Sequence, residues 1–316
     1  MAGHPLNIFV IHGIGDYQNV VGELDRDLAA GVRRSVGELR ARYRLPDAPD
    51  APLLNVIPGR WASVPEGLLK ELEQRLFHGR VDRLRAFAMR LMGDVIAYQG
   101  LAVYEEIHRE LAYALRSRLK PESRHLSVIG HSLGSVIASD FLYDHTRRHS
   151  SRFRDHFGVD FVNFFTLGSP LVLYAARSPA CTSGTFGPGR VVDGFDAPVH
   201  VESGTGVWLN IYSDDDVVGY PLKTVNDAYA RAVTADVVTE AGNVFTRWNP
   251  LSHGAYWTEA AVIGIIADKL AIDYAECNLG LTGSAMQDAV TAYRNRFLPP
   301  TPPASGSRVV RAQTAS

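Results

Sequence analysis

The sequence predicts an α/β fold with a mostly parallel sheet flanked by helices, and three observations support this prediction. Short apolar runs of strand length alternate along the chain with longer amphipathic stretches, which is the pattern of strand–helix–strand units. The chain has 316 residues, 46% of them hydrophobic, which is enough to bury a large core. Two glycine-rich turns, at 13–15 and 130–134, directly follow apolar runs.

The predicted elements follow one another in this order along the chain. Strands are predicted where apolar runs are short and bounded by turn residues, at 6–12, 53–58, 126–130, 161–169, 207–213 and 235–240. Helices are predicted where apolar residues recur every three or four positions, at about 20–42, over most of 65–118, at 132–145 and at about 256–275.

These elements form one predicted domain over residues 1–298, with two departures from the regular order. A helical insert at 65–118 precedes the strand at 126–130, and leucines recur every four residues at its start. Residues 177–206 are rich in Gly, Pro and Ser and form a long irregular loop, a kind of segment that is more often functional than accidental. The tail at 299–316 has the composition of a disordered end.

Composition and charge exclude several classes of function. The formal net charge is −2, with 32 basic and 34 acidic residues, so no overall field attracts nucleic acid or an anionic membrane. The chain has only two cysteines, Cys181 and Cys277, which are too few for a disulfide framework. Neither has neighbours at metal-ligand spacing. No signal peptide and no run of ~18 apolar residues is present. We therefore expect a cytoplasmic protein without a membrane span, and the sequence predicts no oligomeric state.

Ser132 is the candidate nucleophile. It occupies the centre of Gly130-His131-Ser132-Leu133-Gly134, a G-x-S-x-G pattern between a predicted strand and a predicted helix, as a nucleophile elbow requires. Glycines are needed there because side chains flanking such a tight turn would clash. The alternative is an ordinary glycine-rich turn in which Ser132 only caps the helix.

The oxyanion hole is predicted from two backbone N–H groups. Leu133 follows the nucleophile at the helix N-terminus, where free N–H groups and the helix dipole favour negative charge. Ile14, in the His12-Gly13-Ile14-Gly15 turn after the first strand, is the candidate second donor. The alternative is again an ordinary glycine turn. We expect His12 to pack and hydrogen-bond within this turn rather than act as a base.

The triad acid is predicted among three adjacent carboxylates that follow the strand at 207–213. Asp216 stands next to the apolar Val217-Val218 pair and is the first candidate, with Asp215 the second. A carboxylate behind a histidine orients the imidazole and stabilises its cation. Alternatively, the three carboxylates lie in a solvated turn, and none of them, Asp214 included, is catalytic.

His253 is the candidate general base. It stands in "NPLSHGAYW", after the last predicted strand and before the last predicted helix, and the order Ser, Asp, His is that of an α/β-hydrolase. A neutral imidazole can take up the serine proton near pH 7 and return it to the leaving group. Five other histidines are expected at the surface: His125, His145, His149, His156 and His200.

Together, the segments "VIHGIG", "GHSLG", "FFTLGSPL", "DDDVVGYPL" and "SHGAYW" resemble those of serine hydrolases of the α/β-hydrolase superfamily, and lipase-like esterases in particular. The resemblance implies an α/β-hydrolase fold. The helical insert before the nucleophile strand is predicted from the residue pattern alone and has no counterpart in this resemblance. In similar proteins a G-S-P turn follows the next strand and the acid commonly precedes a Pro-Val or Ile-Val pair, which favours Asp216 over its neighbours.

The resulting functional prediction is hydrolysis of a small-molecule or lipid ester through an acyl-enzyme, with no metal or cofactor. The amphipathic helices at 65–92 either form a lid over an acyl pocket or pack on the sheet. The same triad could instead cleave thioesters or amides. A non-catalytic binding protein with this fold is the alternative from another class, although such proteins usually lose a triad member, and none is missing here.

Overall fold

Six parallel strands form a single sheet in the computed structural model of the chain. The structure describes residues 3–13, 17–61, 93–120, 122–146, 151–177, 198–239 and 252–297. In these ranges the strands are β1 (Leu6–Ile11), β2 (Leu54–Gly59), β3 (His125–His131), β4 (Asp160–Leu167), β5 (Val207–Tyr212) and β6 (Ala235–Val238). Their order across the sheet is β2-β1-β3-β4-β5-β6, with every neighbouring pair parallel. The predicted α/β fold is confirmed.

Helices cover both faces of this sheet. They are α1 (Tyr17–Tyr43), α2 (Leu101–Arg118), α3 (Leu133–His145), α4 (Phe153–Phe157), α5 (Asp227–Ala232), α6 (Ala260–Leu279) and α7 (Gly283–Asn295). Two 3₁₀ turns, Leu171–Arg177 and Ser252–Trp257, follow β4 and precede α6.

The side chains of β1 show how the core is divided between the two faces. Ile8 and Val10 pack in one cluster with α1 and α6, whereas Phe9 and Ile11 pack in a second cluster with α2 and α3. Successive strand residues point to opposite faces, and both faces of β1 are fully buried. This explains why five of the six strand residues are apolar and do not alternate with polar ones, as in other parallel sheets covered on both sides. The exception, Asn7, is buried and donates hydrogen bonds to the Lys120 and Ser123 carbonyls.

The order of the strands determines where a ligand can bind. From β1 the chain crosses to β2 on one side and then to β3 on the other, so the crossovers diverge between β1 and β3. In open parallel sheets the carboxyl ends of the two strands at such a divergence form a crevice in which ligands bind. Gly13 lies just beyond the end of β1 and Ser132 just beyond the end of β3, so the fold places the two glycine-rich turns at this crevice.

The last helices differ from the sequence-based prediction. The helix predicted from about residue 256 to 275 begins at Ala260 and runs to Leu279, because the preceding residues form the 3₁₀ turn and Gly280 ends the helix with a φ of 75°. The helix α7 was not predicted. Its buried residues Met286, Ala289, Val290 and Tyr293 follow helical spacing and pack in the same cluster as α6.

Some predictions lie outside the described residues. These are Ile14, Cys181, His149, the insert at 65–92 with its suggested lid, the central part of the 177–206 loop and the tail at 299–316. Among the residues that are described, no helix is both long and apolar enough to cross a membrane.

Candidate active site

The backbone at Ser132 is strained. Its φ of 52° and ψ of −133° lie in a region that non-glycine residues seldom occupy. Such strain persists only where the surroundings enforce it, and it concentrates at functional sites. Two bonds hold the turn: the Ser132 N–H donates to the Leu167 carbonyl at 2.9 Å, and the Ser132 carbonyl accepts the Ser135 N–H at 2.9 Å. The serine of the predicted elbow therefore stands on a strained strand-to-helix turn.

Three glycines make the turn possible. A Cβ on Gly130 would lie 2.6 Å from Ser135 Cα, and one on Gly134 would lie 2.6 Å from the His12 carbonyl oxygen and closer still to that of Ile11. A Cβ on Gly13 would lie 2.7 Å from Ser132 Cβ. Gly13, just beyond the end of β1, thus packs directly against Ser132, as the predicted oxyanion-hole loop requires.

Replacing Gly134 by alanine is expected to destabilise the fold and disrupt the elbow. The new methyl group would overlap backbone carbonyl oxygens of β1 and the residue after it, which cannot move without shifting the strand. Overpacking of this kind typically lowers the free energy of unfolding by about 1–3 kcal/mol. Denaturant unfolding measures the effect. The matched control is Gly264→Ala in α6, where nothing lies within 4 Å of the new Cβ and a gain of up to ~1 kcal/mol is expected. Equal effects at both positions would contradict this packing.

Asp216 and His253 form a buried pair. His253 Nδ1 lies 2.8 Å from Asp216 Oδ2. His253 is 4% exposed and Asp216 is 5% exposed. Asp214 and Asp215 are exposed. Of the three adjacent carboxylates, Asp216 is therefore the one that the structure brings to the histidine. With Nδ1–H donating to the carboxylate, Nε2 is left as the acceptor of the neutral ring.

Two further donors hold the Asp216 carboxylate. The Tyr256 hydroxyl donates to Oδ2 at 2.8 Å, and the Val218 N–H donates to Oδ1 at 3.0 Å. Burial raises the pKa of Asp216, but the hydrogen bond and charge of His253, with those two donors, outweigh burial and leave the pKa below its ordinary value. Burial and the Asp216 charge raise the pKa of Tyr256 far above its ordinary value, so its hydroxyl remains a donor.

Removing the Tyr256 hydroxyl is expected to lower stability and hydrolysis together. In Tyr256→Phe, Asp216 loses one donor, and the buried Ser213 N–H, 2.9 Å from the hydroxyl, loses its acceptor. An unsatisfied buried group costs about 1–3 kcal/mol, measured by denaturant unfolding. The matched control is Tyr274→Phe, because within the described ranges the buried Tyr274 hydroxyl has no hydrogen-bond partner. Similar losses in both variants would show that Tyr256 matters only through packing.

The elbow and the Asp216–His253 pair meet at the end of β4. Gly168 follows Leu167, whose carbonyl binds the Ser132 N–H, and its φ is 51°. A Cβ on Gly168 would lie 2.8 Å from Asp216 Oδ2 and 3.2 Å from His253 Cε1. Leu167 thus binds the backbone of Ser132, and the next residue, Gly168, lies against the Asp216–His253 pair.

His131 provides a second link between the elbow and His253. Its Nε2–H donates to the His253 carbonyl at 2.7 Å, and the two rings lie 4.9 Å apart. Burial, followed by the proximity of His253 and His12, lowers the pKa of His131 well below its ordinary value. His131 therefore stays neutral and holds His253 in place through the backbone carbonyl of that residue.

Leu133 and His12 lie where the sequence predicts them. Leu133 is the first residue of α3, and the first N–H groups of a helix have no partner within it. His12 Nδ1 lies 2.9 Å from the Gly13 carbonyl oxygen, and its ring stacks on Trp257 at 5.5 Å. The other oxyanion candidate, Ile14, lies outside the described residues.

The expectation that the remaining histidines lie at the surface is wrong for His145. It is half-buried at the end of α3, with its ring against Phe141, Phe153 and Phe157. Burial is the main cause that lowers its pKa to about 4. His125 and His156 are also half-buried, and His200 is exposed.

Several residues of the site carry no role in the sequence-based prediction. Ser135 Oγ lies 2.6 Å from the Ser132 carbonyl oxygen, to which it donates, and 2.7 Å from Ser169 Oγ. This bridge ties the elbow to the G-S-P turn. The spacing of "GSP" and "SHGAYW" signalled that these segments belong to the site, but not which contacts Ser169 and Tyr256 make.

Comparison with known proteins shows that part of the chain is similar to an esterase family. Residues 89–187 match the family model described as "Putative serine esterase (DUF676)". This segment contains α2, the elbow and the G-S-P turn. No curated protein matches the chain. The parallel sheet and this match together confirm the resemblance to serine hydrolases of the α/β-hydrolase superfamily.

Proposed function

We propose that the protein hydrolyses carboxylic esters with Ser132 as nucleophile, His253 as general base and Asp216 as the orienting acid. The observation that carries this proposal is the convergence at the end of β4, where adjacent residues contact the strained serine turn and the buried Asp216–His253 pair. A serine capping an ordinary turn would need neither the strain nor a carboxylate–imidazole pair beside it.

The reaction follows from this arrangement. His253 Nε2 accepts the Ser132 proton as Oγ attacks the acyl carbonyl carbon. The tetrahedral oxyanion accepts hydrogen bonds from the Leu133 N–H and, on the sequence-based prediction, from the Ile14 N–H. The acyl–oxygen bond then breaks, and the proton passes from His253 to the departing alcohol. Water repeats these steps on the acyl-enzyme, releasing the carboxylic acid and restoring Ser132.

Asp216 supports each proton transfer electrostatically. Its carboxylate is ionised and fixed by three donors, so it stabilises the imidazolium cation that forms when His253 takes the proton. Because the pair is buried, little water screens this interaction. The protein residues therefore suffice for the chemistry.

A matched set of acyl compounds tests the substrate class. An ester, a thioester and an amide with one common acyl group are compared by kcat/KM, and the ester series then runs from acetyl to octanoyl. We expect the ester to be cleaved fastest. Faster thioester or amide cleavage would support the thioesterase or peptidase alternative, and no cleavage of any compound would support a binding protein. Rates that rise with chain length would favour a lid and acyl pocket, since each buried methylene contributes up to ~0.8 kcal/mol.

A further inference from the structure

A second group of chemically active side chains lies at the opposite end of β3 from Ser132. His125 is the first residue of β3, and Asp273 and Glu276 are on the last two turns of α6. One ligand atom from each of His125, Asp273 and Glu276 lies within 4.8 Å of the other two. None of these residues takes part in the candidate active site.

Cys277 lies beside this group but is not one of its members. Its Sγ lies 3.4 Å from His125 Nδ1, but it does not share the mutual spacing of the ligand atoms of His125, Asp273 and Glu276. Its side chain is exposed. The candidate ligands are therefore one imidazole and two carboxylates.

The surroundings of Asp273 also suit a metal ligand. Its carboxylate pairs with Lys269 and accepts a hydrogen bond from Asn163 Nδ2 at 2.6 Å. Metal-binding carboxylates are commonly oriented by such outer hydrogen bonds, and a carboxylate has further lone pairs to offer. Lys269 is fully buried and balances the Asp273 charge, which leaves the Glu276 charge to balance part of the charge of a divalent cation.

Two further observations indicate a cation. Glu276 Oε2 is buried and makes no hydrogen bond within the described part of the chain, which is costly for a carboxylate oxygen. Glu276 also lies in the last turn of α6, where the negative end of the helix dipole favours positive charge.

We propose that His125, Asp273 and Glu276 bind one divalent cation of the zinc class. An imidazole together with carboxylates suits zinc better than magnesium or calcium, which prefer oxygen ligands alone. The ion joins the start of β3 to the end of α6, so its role is structural and separate from ester hydrolysis.

Calorimetric titration of the full chain with Zn²⁺, after removal of metal by a chelator, tests the proposal. We expect one site with a Kd in the micromolar range or below. His125→Ala and the isosteric Glu276→Gln should each weaken binding at least about tenfold, whereas His200→Ala, at an exposed position, should leave it unchanged. Circular dichroism establishes that each variant is folded. Absence of Zn²⁺ binding, or full affinity in both variants, would overturn the proposal.

Discussion

Replacing Ser132 by alanine is expected to lower ester hydrolysis by about 10⁶-fold, the scale seen when a triad nucleophile is removed. The proposed reaction has no other group that forms the acyl-enzyme, so what remains comes from binding and the oxyanion hole alone. The measurement is kcat/KM on the best ester of the acyl series. Because Ser132 is buried in a strained turn, the melting temperature is measured on the same variant and should not fall.

The control for this variant is Ser139→Ala. Ser139 is also buried and lies on the same helix, α3, but it has no proposed role in the chemistry. We expect its kcat/KM to stay within a few-fold of wild type. A Ser132→Ala protein with wild-type turnover would show that Ser132 only shapes the turn.

Replacing Asp216 by asparagine is expected to lower kcat/KM by roughly 10³- to 10⁴-fold at neutral pH. The amide removes the negative charge that stabilises protonated His253. It can also donate to Nδ1, which stabilises the wrong tautomer of the imidazole. Asp214→Asn and Asp215→Asn are matched controls on the same turn, and both side chains are exposed, so changes of less than about threefold are expected. A large loss at Asp215 instead would place the acid one residue earlier.

The acid dependence of stability tests the same carboxylate. The pKa of Asp216 is lower in the folded chain than its ordinary value, which is about 3.9 in an unfolded chain. Its ionised form therefore stabilises the fold above about pH 4, and this contribution is lost as the pH falls through the lower folded pKa. Denaturant unfolding of wild type and Asp216→Asn at pH 6 and pH 3 should show a difference that shrinks at pH 3. A constant difference would mean that the pairing seen here does not lower the pKa.

Much of the sheet could be predicted from the sequence because its strands are buried on both faces. Runs such as Leu6–Ile11 and Val207–Tyr212 are apolar except for one asparagine each and end at turn residues, so their position is visible without knowledge of their neighbours. The helix at Gly283–Asn295 was missed because only four of its residues are buried. Its apolar stripe is short, and its significance depends on the neighbouring α6.

The candidate site was predictable only in those parts that are local in the chain. The glycines around Ser132 and the apolar neighbours of Asp216 are adjacent in sequence. The structure shows the glycines closely packed, whereas of the two valines only Val218 is buried and Val217 is 75% exposed. The contacts of His131 with the His253 carbonyl and of Ser135 with Ser169 join residues distant in sequence. No single-sequence pattern indicates such pairs, and the grouping of His125 with α6 was invisible for the same reason.

The most direct test of the central claim is the location of a covalent adduct formed with a fluorophosphonate. Such a probe reacts with a serine that an adjacent base activates, and the adduct mimics the acyl-enzyme. Intact mass measurement followed by peptide mapping should show one adduct per chain, on Ser132, and none in a folded His253→Ala variant. An adduct on another residue, or unreduced labelling in His253→Ala, would contradict the claim that His253 activates Ser132.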